Sequence, residues 1–298
     1  MIKGNKKEYY EKIVIGTAQF GMNYGIANKL GRISTDEMSS ILIYAKSKGI
    51  NTLDTAIGYG DCHNKIGNLG IEELEIISKV SNFGNEISQI KLNLLSQITK
   101  SLKELKISCL NTILLHSPND LLNQYKYEVY DALISAKKNG LCKKIGVSAY
   151  CPKQIINLTK EFQIDVIQLP FNVFNNEIAN DQLLNYLKFS GTELHVRSIF
   201  LQGLLLMESH ERNPYFDNWK ELFEKWDLWL KQNKISKLEG CISYVLQNKF
   251  IDKVVIGIDS KKHFFEILNV FKNSNSQIIP DIFSSSDQNL INPMNWPV

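Results

Sequence analysis

Four polar side chains of different chemistry each come at the end of an apolar run of sequence. Asp54 and Tyr59 lie five residues apart in LDTAIGYG, residues 53–60. Lys79 directly follows the run EELEIIS, and His116 directly follows NTILL. A carboxyl, a phenol, an amine and an imidazole at the ends of successive predicted strands make up a set of groups for proton transfer.

This set of groups is suited to the reduction of a carbonyl. A tyrosine hydroxyl has a pKa of about 10, and a nearby ammonium lowers that pKa by favouring the phenolate. We therefore expect Lys79 to lower the pKa of Tyr59, and Asp54 to keep Lys79 charged and aimed. His116 can donate a hydrogen bond that orients and polarises a carbonyl oxygen. A hydride would come from a cofactor while Tyr59 delivers the proton.

Each of the four residues also has a purely structural interpretation. Asp54 could cap the following turn, and Tyr59 could be a packing aromatic. Lys79 could bury its stem and keep its ammonium in water, and His116 could be a loop histidine. Taken singly, the structural interpretation is favoured for each residue. Four such residues at successive strand ends together favour catalysis.

The elements that must position these residues are short strands alternating with helices. Apolar runs predict strands at Lys12–Thr17, Ile50–Asp54, Leu74–Val80, Asn111–His116, Lys144–Ser148, Val166–Leu169, Leu194–Ser198 and Val254–Ile256. Segments of helical period lie near 35–48, 62–69, 87–105, 125–139, 152–162, 180–190, 215–248 (as two helices) and 261–272. Little alternation within the strands indicates a parallel sheet that is covered on both faces.

Eight strands alternating with helices predict an α/β fold, a (β/α)8 TIM barrel that forms a single domain over residues 1–298. The stretch 273–298, rich in Ser, Asn and Pro, is expected to be a C-terminal tail, which either packs over the barrel face through Trp296 or is a loose terminus. A doubly wound open sheet is the alternative, but the G-x-G-x-x-G fingerprint is absent after the first strand. In a barrel the carboxyl ends of all strands share one mouth, where the four polar residues would converge.

Composition and charge exclude several other classes of protein. The net charge is +3, so we expect neither a nucleic-acid nor a membrane-surface partner. The N-terminal segment MIKGNKKEYYEK lacks the apolar core of a signal peptide, and no apolar run approaches the ~18 residues of a membrane span. The five cysteines are scattered without a CxxC pair, which indicates reduced thiols in a cytoplasmic protein and neither a zinc site nor a disulfide framework.

From about residue 12 to residue 272 the chain resembles the aldo-keto reductase family. The matching segments are IGTAQFG (15–21), LDTAIGYG (53–60), ISKV (77–80), LLHSP (114–118), GVSAY (146–150), IQLPFNVFN (167–175), RSIFLQGLL (197–205) and VVIGIDS (254–260). The resemblance implies a (β/α)8 barrel that binds an extended NADP or NAD without a Rossmann domain and acts on a small-molecule carbonyl substrate. It also implies the proton-donor role of Tyr59.

The resemblance assigns further residues to a cofactor path that runs from the nicotinamide to the adenosine. In that order they are Gly16 and Thr17 near the nicotinamide, Ser148 and Gln168 on its carboxamide, Ser198, Phe200 and Gly203 along the pyrophosphate, and Gly257, Asp259 and Ser260 at the adenosine end.

Three positions depart from the family pattern. Ala149 replaces a common asparagine, and His63 replaces a common glutamate. Asp259 stands where many NADP-using members have Lys or Arg; its carboxylate would repel a 2′-phosphate and could accept a bond from a ribose hydroxyl. Lys261 and Lys262 could restore the attraction. NADP and NAD both stay open, and Asp259 favours NAD.

Two other functions fit the same residues. Lys79 could form a Schiff base in a lyase, or the barrel could sense a cofactor without turnover. Retention of Asp54, Tyr59, Lys79 and His116 argues against a sensor, because a sensor needs no proton donor. The substrate is expected to be an aldehyde, a sugar or a sugar derivative, as in carbohydrate metabolism, and the sequence carries no signal for an oligomeric state.

Overall fold

The protein folds as a closed barrel of parallel strands. The computed structural model describes residues 10–70, 73–84, 86–273 and 278–297. Each strand pairs with the next along the chain, and the last pairs with the first, so the sheet closes in the order β1 to β8. The strands are β1 Ile13–Gly16, β2 Thr52–Asp54, β3 Glu75–Val80, β4 Leu110–Leu115, β5 Cys142–Ser148, β6 Val166–Pro170, β7 Glu193–Arg197 and β8 Lys253–Gly257. The predicted (β/α)8 TIM barrel is confirmed.

Helices follow the strands and surround the barrel. They are α1 Ala18–Gly21, α2 Thr35–Ser47, α3 Cys62–Asn68, α4 Ile87–Leu105, α5 Lys126–Lys138, α6 Pro152–Glu161, α7 Asp181–Phe189, α8 Lys220–Asn233, α9 Lys237–Leu246, α10 Lys261–Asn273 and α11 Gln288–Ile291. Short 3-10 segments occupy Pro118–Leu121, Leu201–Leu206, Ser209–Glu211, Pro214–Trp219 and Pro293–Asn295. The predicted segment 215–248 contains two helices, α8 and α9, as expected from its length.

The second strand begins later than its apolar run predicted. β2 begins at Thr52, two residues after the predicted start at Ile50. The backbone N–H of Ile50 donates to the carbonyl of Ala45 at 3.0 Å, which closes the end of α2 and takes this residue out of the strand ladder. Gly49 has a φ of 76°, the left-handed conformation that commonly ends a helix at glycine.

The apolar core has two layers. Five side chains fill the inside of the barrel: Val14, Ile77, Leu114, Val166 and Val255. A much larger layer lies between the strands and the surrounding helices. Branched aliphatic side chains that fill the lumen make the barrel a packed scaffold and not a pore, so the strand ends at the mouth are held on a rigid frame.

The described part of the tail, residues 278–297, packs on the helices that follow β7. The Trp296 ring lies 5.0 Å from the Phe216 ring, edge to face, and its indole N–H donates to the Leu290 carbonyl at 3.1 Å. Met294 lies near the mouth, with its sulfur 3.7 Å from the Tyr150 hydroxyl. Among the described residues, no helix is long and apolar enough to cross a membrane.

Candidate active site

Two glycines fix the turn that carries Tyr59. Gly60 has a φ of 59°, a conformation that glycine adopts at little steric cost. A Cβ atom at Gly21 would lie 1.7 Å from the carbonyl oxygen of Tyr59, so no larger residue fits there. The GTAQFG and LDTAIGYG segments therefore pack directly on each other, and their contact holds Tyr59 at the mouth of the barrel.

Asp54 and Lys79 form an ion pair at the ends of β2 and β3. The Lys79 ammonium donates to Asp54 Oδ1 and to the Thr55 carbonyl at 3.3 Å. Asp54 Oδ2 accepts a bond from Gln168 Nε2 at 2.8 Å. The two charged side chains are only 2% and 5% exposed. A buried pair is tolerated when hydrogen bonds satisfy its remaining polar atoms, and Gln168 helps to meet that condition here.

The Tyr59 side chain lies next to this ion pair, but its pKa moves in the direction opposite to our expectation. Lys79 Nζ is 5.6 Å from the centroid of the Tyr59 ring. Burial and the Asp54 carboxylate raise the pKa of Tyr59 above its usual value, and Arg197 opposes them. The expected net lowering of this pKa is therefore wrong, because burial and the Asp54 carboxylate disfavour the phenolate more than the nearby cations favour it. Tyr59 is a protonated phenol at neutral pH.

His116 completes the group at the end of β4. Its ring centroid lies 6.3 Å from that of Tyr59, at an interplanar angle of 79°. Burial, together with the positive charges of Lys79 and Arg197, lowers the pKa of His116 to about 4. At neutral pH the imidazole is therefore uncharged, with one N–H available to donate a hydrogen bond.

A cleft extends from Asp54 and Tyr59 to the segment after β8, and neither Lys79 nor His116 is on its lining. The space between its walls, including the part open to solvent, is about 950 Å³. Residues from the loops after β1, β7 and β8 line most of it. Nine of the residues singled out from the sequence line this cleft: Gly16, Thr17, Asp54, Tyr59, Ser198, Phe200, Gly203, Gly257 and Asp259.

Three predicted cofactor residues lie beside the cleft and not on its lining. Ser148 and Gln168 pair across β5 and β6, at the carboxyl ends of these strands. The Ser260 hydroxyl accepts a bond from the backbone N–H of His263 at 3.1 Å, so it caps the start of α10. This capping contact gives Ser260 a structural role in addition to any contact with a ligand.

The residues present fit a nicotinamide dinucleotide. Gln168 Oε1 is a buried acceptor with no partner among the described residues, as expected of an atom that accepts from a ligand amide. Two glycines at the floor of the cleft leave little room for a larger side chain. A Cβ atom at Gly16 would lie 3.3 Å from a methyl carbon of Val255, and one at Gly257 would lie 2.9 Å from the side-chain amide of Gln19. The cleft floor therefore allows close approach of a flat, extended molecule.

At the far end of the cleft Asp259 has a partner that the sequence did not indicate. His263 Nδ1 lies 2.9 Å from Asp259 Oδ1, and both residues line the cleft. The Asp259 hydrogen bond raises the pKa of His263, while His263 lowers the pKa of Asp259. The carboxylate is therefore neutralised whenever the imidazole is protonated. The four-residue spacing on one helical turn was the only sequence signal for this pair.

Aromatic residues that follow the strands divide between the core and the cleft. Phe20, Phe83 and Phe171 are buried in the core, where apolar rings lose water-exposed area. Tyr24 lines the cleft. Trp226 is buried and stacks with Trp229, which is the helical packing that their spacing indicates.

Arg197 is a cleft residue that sequence reasoning missed. It ends β7 and lines the cleft beside Ser198. Its guanidinium lies over the Tyr150 ring, 4.8 Å from the centroid, on the β5 side of the mouth. The available signal was its position: it is the polar residue at the end of the seventh apolar run, as Asp54 is for the second.

Solved structures of the same fold include aldo-keto reductases and a dehydrogenase. The chain superimposes on an aldo-keto reductase from Bacillus halodurans in its holo form with a TM-score of 0.68 and 16% identity, over 90% of this chain and 93% of that one. For a glycerol dehydrogenase from Gluconobacter oxydans the TM-score is 0.65 and the identity 17%, over 91% and 88% of the two chains. For a thermostable aldo-keto reductase in complex with epalrestat the values are 0.68 and 20%, over 89% and 91%. At these identities the likeness concerns the fold.

Sequence comparison identifies the family. No curated protein sequence matches the chain. The family model described as "Aldo/keto reductase family" matches residues 12–279, which includes every strand of the barrel and the segments that carry Asp54, Tyr59, Lys79 and His116. This chain belongs to the aldo/keto reductase family.

Proposed function

We propose that this protein reduces the carbonyl of a small aldehyde or ketone to an alcohol with NADPH or NADH, and that Tyr59 donates the proton. Family membership supports an NAD(P)H-dependent oxidoreductase. The observation that carries the finer proposal is the contact of Tyr59 and Asp54, which line the cleft, with neutral His116 and with Lys79 behind them.

The chemistry follows from the protonation states of these side chains. The bound nicotinamide would supply the hydride. A tyrosine with a raised pKa keeps its proton until a stronger base, the developing alkoxide, is next to it. The N–H of His116 would orient the carbonyl oxygen towards Tyr59. Lys79, beside the Tyr59 ring, would stabilise negative charge on the phenol oxygen as the proton leaves.

The proposed cofactor contacts follow the cleft. Gly16 and Thr17 would lie under the nicotinamide, and Gln168 Oε1 and Ser148 would bond its carboxamide. The ribose and phosphates would pass the loop after β7 and reach Asp259. Because His263 can neutralise Asp259, we propose that NADPH is accepted when His263 is protonated and that NADH is favoured when it is not.

The two alternative functions have less support from the geometry. A Schiff base requires a free, uncharged amine, whereas the Lys79 nitrogen donates to Asp54 and to a backbone carbonyl. A cofactor sensor would not need the close fit of Gly21 against the Tyr59 turn. The substrate proposal includes sugars and sugar derivatives, since one neighbour in fold is a glycerol dehydrogenase.

A panel of aldehydes, ketones and aldoses assayed with NADPH and NADH tests the proposal. We expect cofactor oxidation that depends on the carbonyl substrate. Tyr59→Phe should lower kcat at least ~100-fold, the usual scale for loss of a general acid, while the cofactor affinity measured by fluorescence titration stays within about twofold. Near-normal turnover by Tyr59→Phe would show that the proton comes from another group.

A further inference from the structure

One arginine in the cleft has no acidic partner. The chain has three arginines, all among the described residues. Arg32 lies 3.4 Å from an Asp61 oxygen and Arg212 lies 3.0 Å from an Asp227 oxygen. No carboxylate of the described residues forms an ion pair with Arg197, whose guanidinium donates to the Ser198 hydroxyl at 3.4 Å and lies over the Tyr150 ring. A half-buried guanidinium at a ligand site is thus left with free donors.

The guanidinium lies on the substrate side of the cleft. Tyr150 follows β5, whereas the proposed adenosine end of the cleft, at Asp259, follows β8 on the opposite side of β7. Arg197 also lowers the pKa of His116, after burial and Lys79, which indicates that its charge reaches the group that would hold the carbonyl. Its position therefore suits a substrate group better than the cofactor phosphates.

The charge balance at the mouth leaves one positive charge unmatched. The Asp54 carboxylate already accepts hydrogen bonds from Lys79 and Gln168, so it does not form an ion pair with Arg197. The phenols of Tyr24 and Tyr150, which lie in the same region, supply no carboxylate. A guanidinium matches the planar geometry of a carboxylate with two parallel N–H donors. A single cation suits a singly charged carboxylate better than a phosphate dianion.

We propose that Arg197 binds a carboxylate of the substrate, so that the protein reduces carbonyl compounds that carry an acid group. The carbonyl would lie at Tyr59 and His116, and the carboxylate would lie between Arg197 and the Tyr24 and Tyr150 rings. This inference rests on the proposed function, since it names the substrate class of the same site.

A matched pair of substrates tests this inference. 4-Carboxybenzaldehyde and its methyl ester, methyl 4-formylbenzoate, differ in charge and little in shape. We expect kcat/KM of the wild type to be at least ~10-fold higher for the acid. Arg197→Gln should lower kcat/KM for the acid ~30-fold or more, the usual scale for truncating one partner of a desolvated charge pair, and leave the ester within about threefold. Arg197→Lys should recover part of the loss.

Two further measurements separate the roles that Arg197 could have. Fluorescence titration with NADPH and NADH should give similar dissociation constants for wild type and Arg197→Gln. Arg32→Gln, which removes an exposed arginine paired with Asp61, is the matched control and should change none of these values. A large loss of cofactor affinity in Arg197→Gln, with the same acid-to-ester ratio as wild type, would place Arg197 on the pyrophosphate and overturn the inference.

Binding distinguishes failure of this inference from failure of the proposed function. In the presence of NADP⁺ or NAD⁺, 4-carboxybenzaldehyde should raise the Tm of the wild type but not that of Arg197→Gln. The methyl ester should raise the Tm of both proteins by much less than the acid raises that of the wild type. That pattern without turnover of either aldehyde would reject the proposed reduction and retain the carboxylate site. Equal effects of acid and ester on both proteins would reject the carboxylate site whatever the turnover.

Discussion

The charged and polar side chains at the two ends of the barrel differ in how they are paired. At the amino ends of the strands, Lys144 lies 2.5 Å from Glu193 and Lys188 lies 3.1 Å from Asp252. At the carboxyl ends, Arg197 has no carboxylate and Gln168 Oε1 has no hydrogen-bond partner among the described residues. Both ends belong to the same strands, so the contrast does not come from the fold.

The contrast separates charged groups that form ion pairs within the protein from polar groups that are available to bind a ligand. A lysine paired with a glutamate at the rim contributes to stability, although modestly when water reaches it. A buried polar atom without a partner costs free energy, and at Gln168 Oε1 a bound ligand would offset that cost. The Asp54–Lys79 pair lies between these cases, because it is satisfied internally and yet adjoins the proposed proton donor.

The sharpest test of the contrast is Lys79→Met. This change leaves the Asp54 carboxylate buried without its cation, which should cost about 3–5 kcal/mol of the free energy of unfolding. It should also lower kcat at least ~100-fold, since Tyr59 would lose the ammonium that lies 5.6 Å from its ring centroid. Urea denaturation and steady-state kinetics measure the two effects.

A double substitution controls for the stability loss. Lys79→Met with Asp54→Asn removes both charges, so it should recover much of the unfolding free energy but little of the activity. Recovery of activity together with stability would mean that the pair serves the fold alone and has no part in proton transfer.

Much of the barrel and part of the site could be predicted from the sequence. Apolar runs located all eight strands, and the polar residue after each run located Asp54, Lys79 and His116 at the mouth. Arg197 was missed because its lack of a carboxylate depends on contacts between distant segments. The pKa direction of Tyr59 was wrong because burial and the pairing of Lys79 with Asp54 are properties of the folded chain.

A second test concerns pH at the far end of the cleft. Asp259 raises the pKa of His263, so the pair is neutral below that pKa and carries one negative charge above it. A 2′-phosphate would then be repelled as the pH rises. We expect KM for NADPH to increase about tenfold, equivalent to ~1.4 kcal/mol, as the pH rises from about 6 to about 9, while KM for NADH stays nearly constant.

Two variants identify the pair as the cause of this pH dependence. His263→Asn removes the titrating cation, so KM for NADPH should be high at both ends of the pH range. Asp259→Asn removes the repulsion, so KM for NADPH should be low and should vary less with pH. Glu266 also raises the pKa of His263, and Glu266→Gln should shift the midpoint without abolishing the change. A flat NADPH profile in the wild type would contradict the proposed role of Asp259.

The smallest effect is expected at the amino end of the barrel. The side chains of Lys144 and Glu193 are 36% and 34% exposed, so water screens their attraction, and Lys144→Met should lower the free energy of unfolding by only about 0.2–1 kcal/mol. Glu193 also bonds His195 at 3.2 Å, which lets it keep one partner after this change. Because this rim faces away from the cleft, kcat and both cofactor affinities should stay at their wild-type values. If Lys144→Met reduced turnover as strongly as Lys79→Met, the charges at the two ends would act together. That outcome would contradict the separation of a stabilising end from a ligand-binding end.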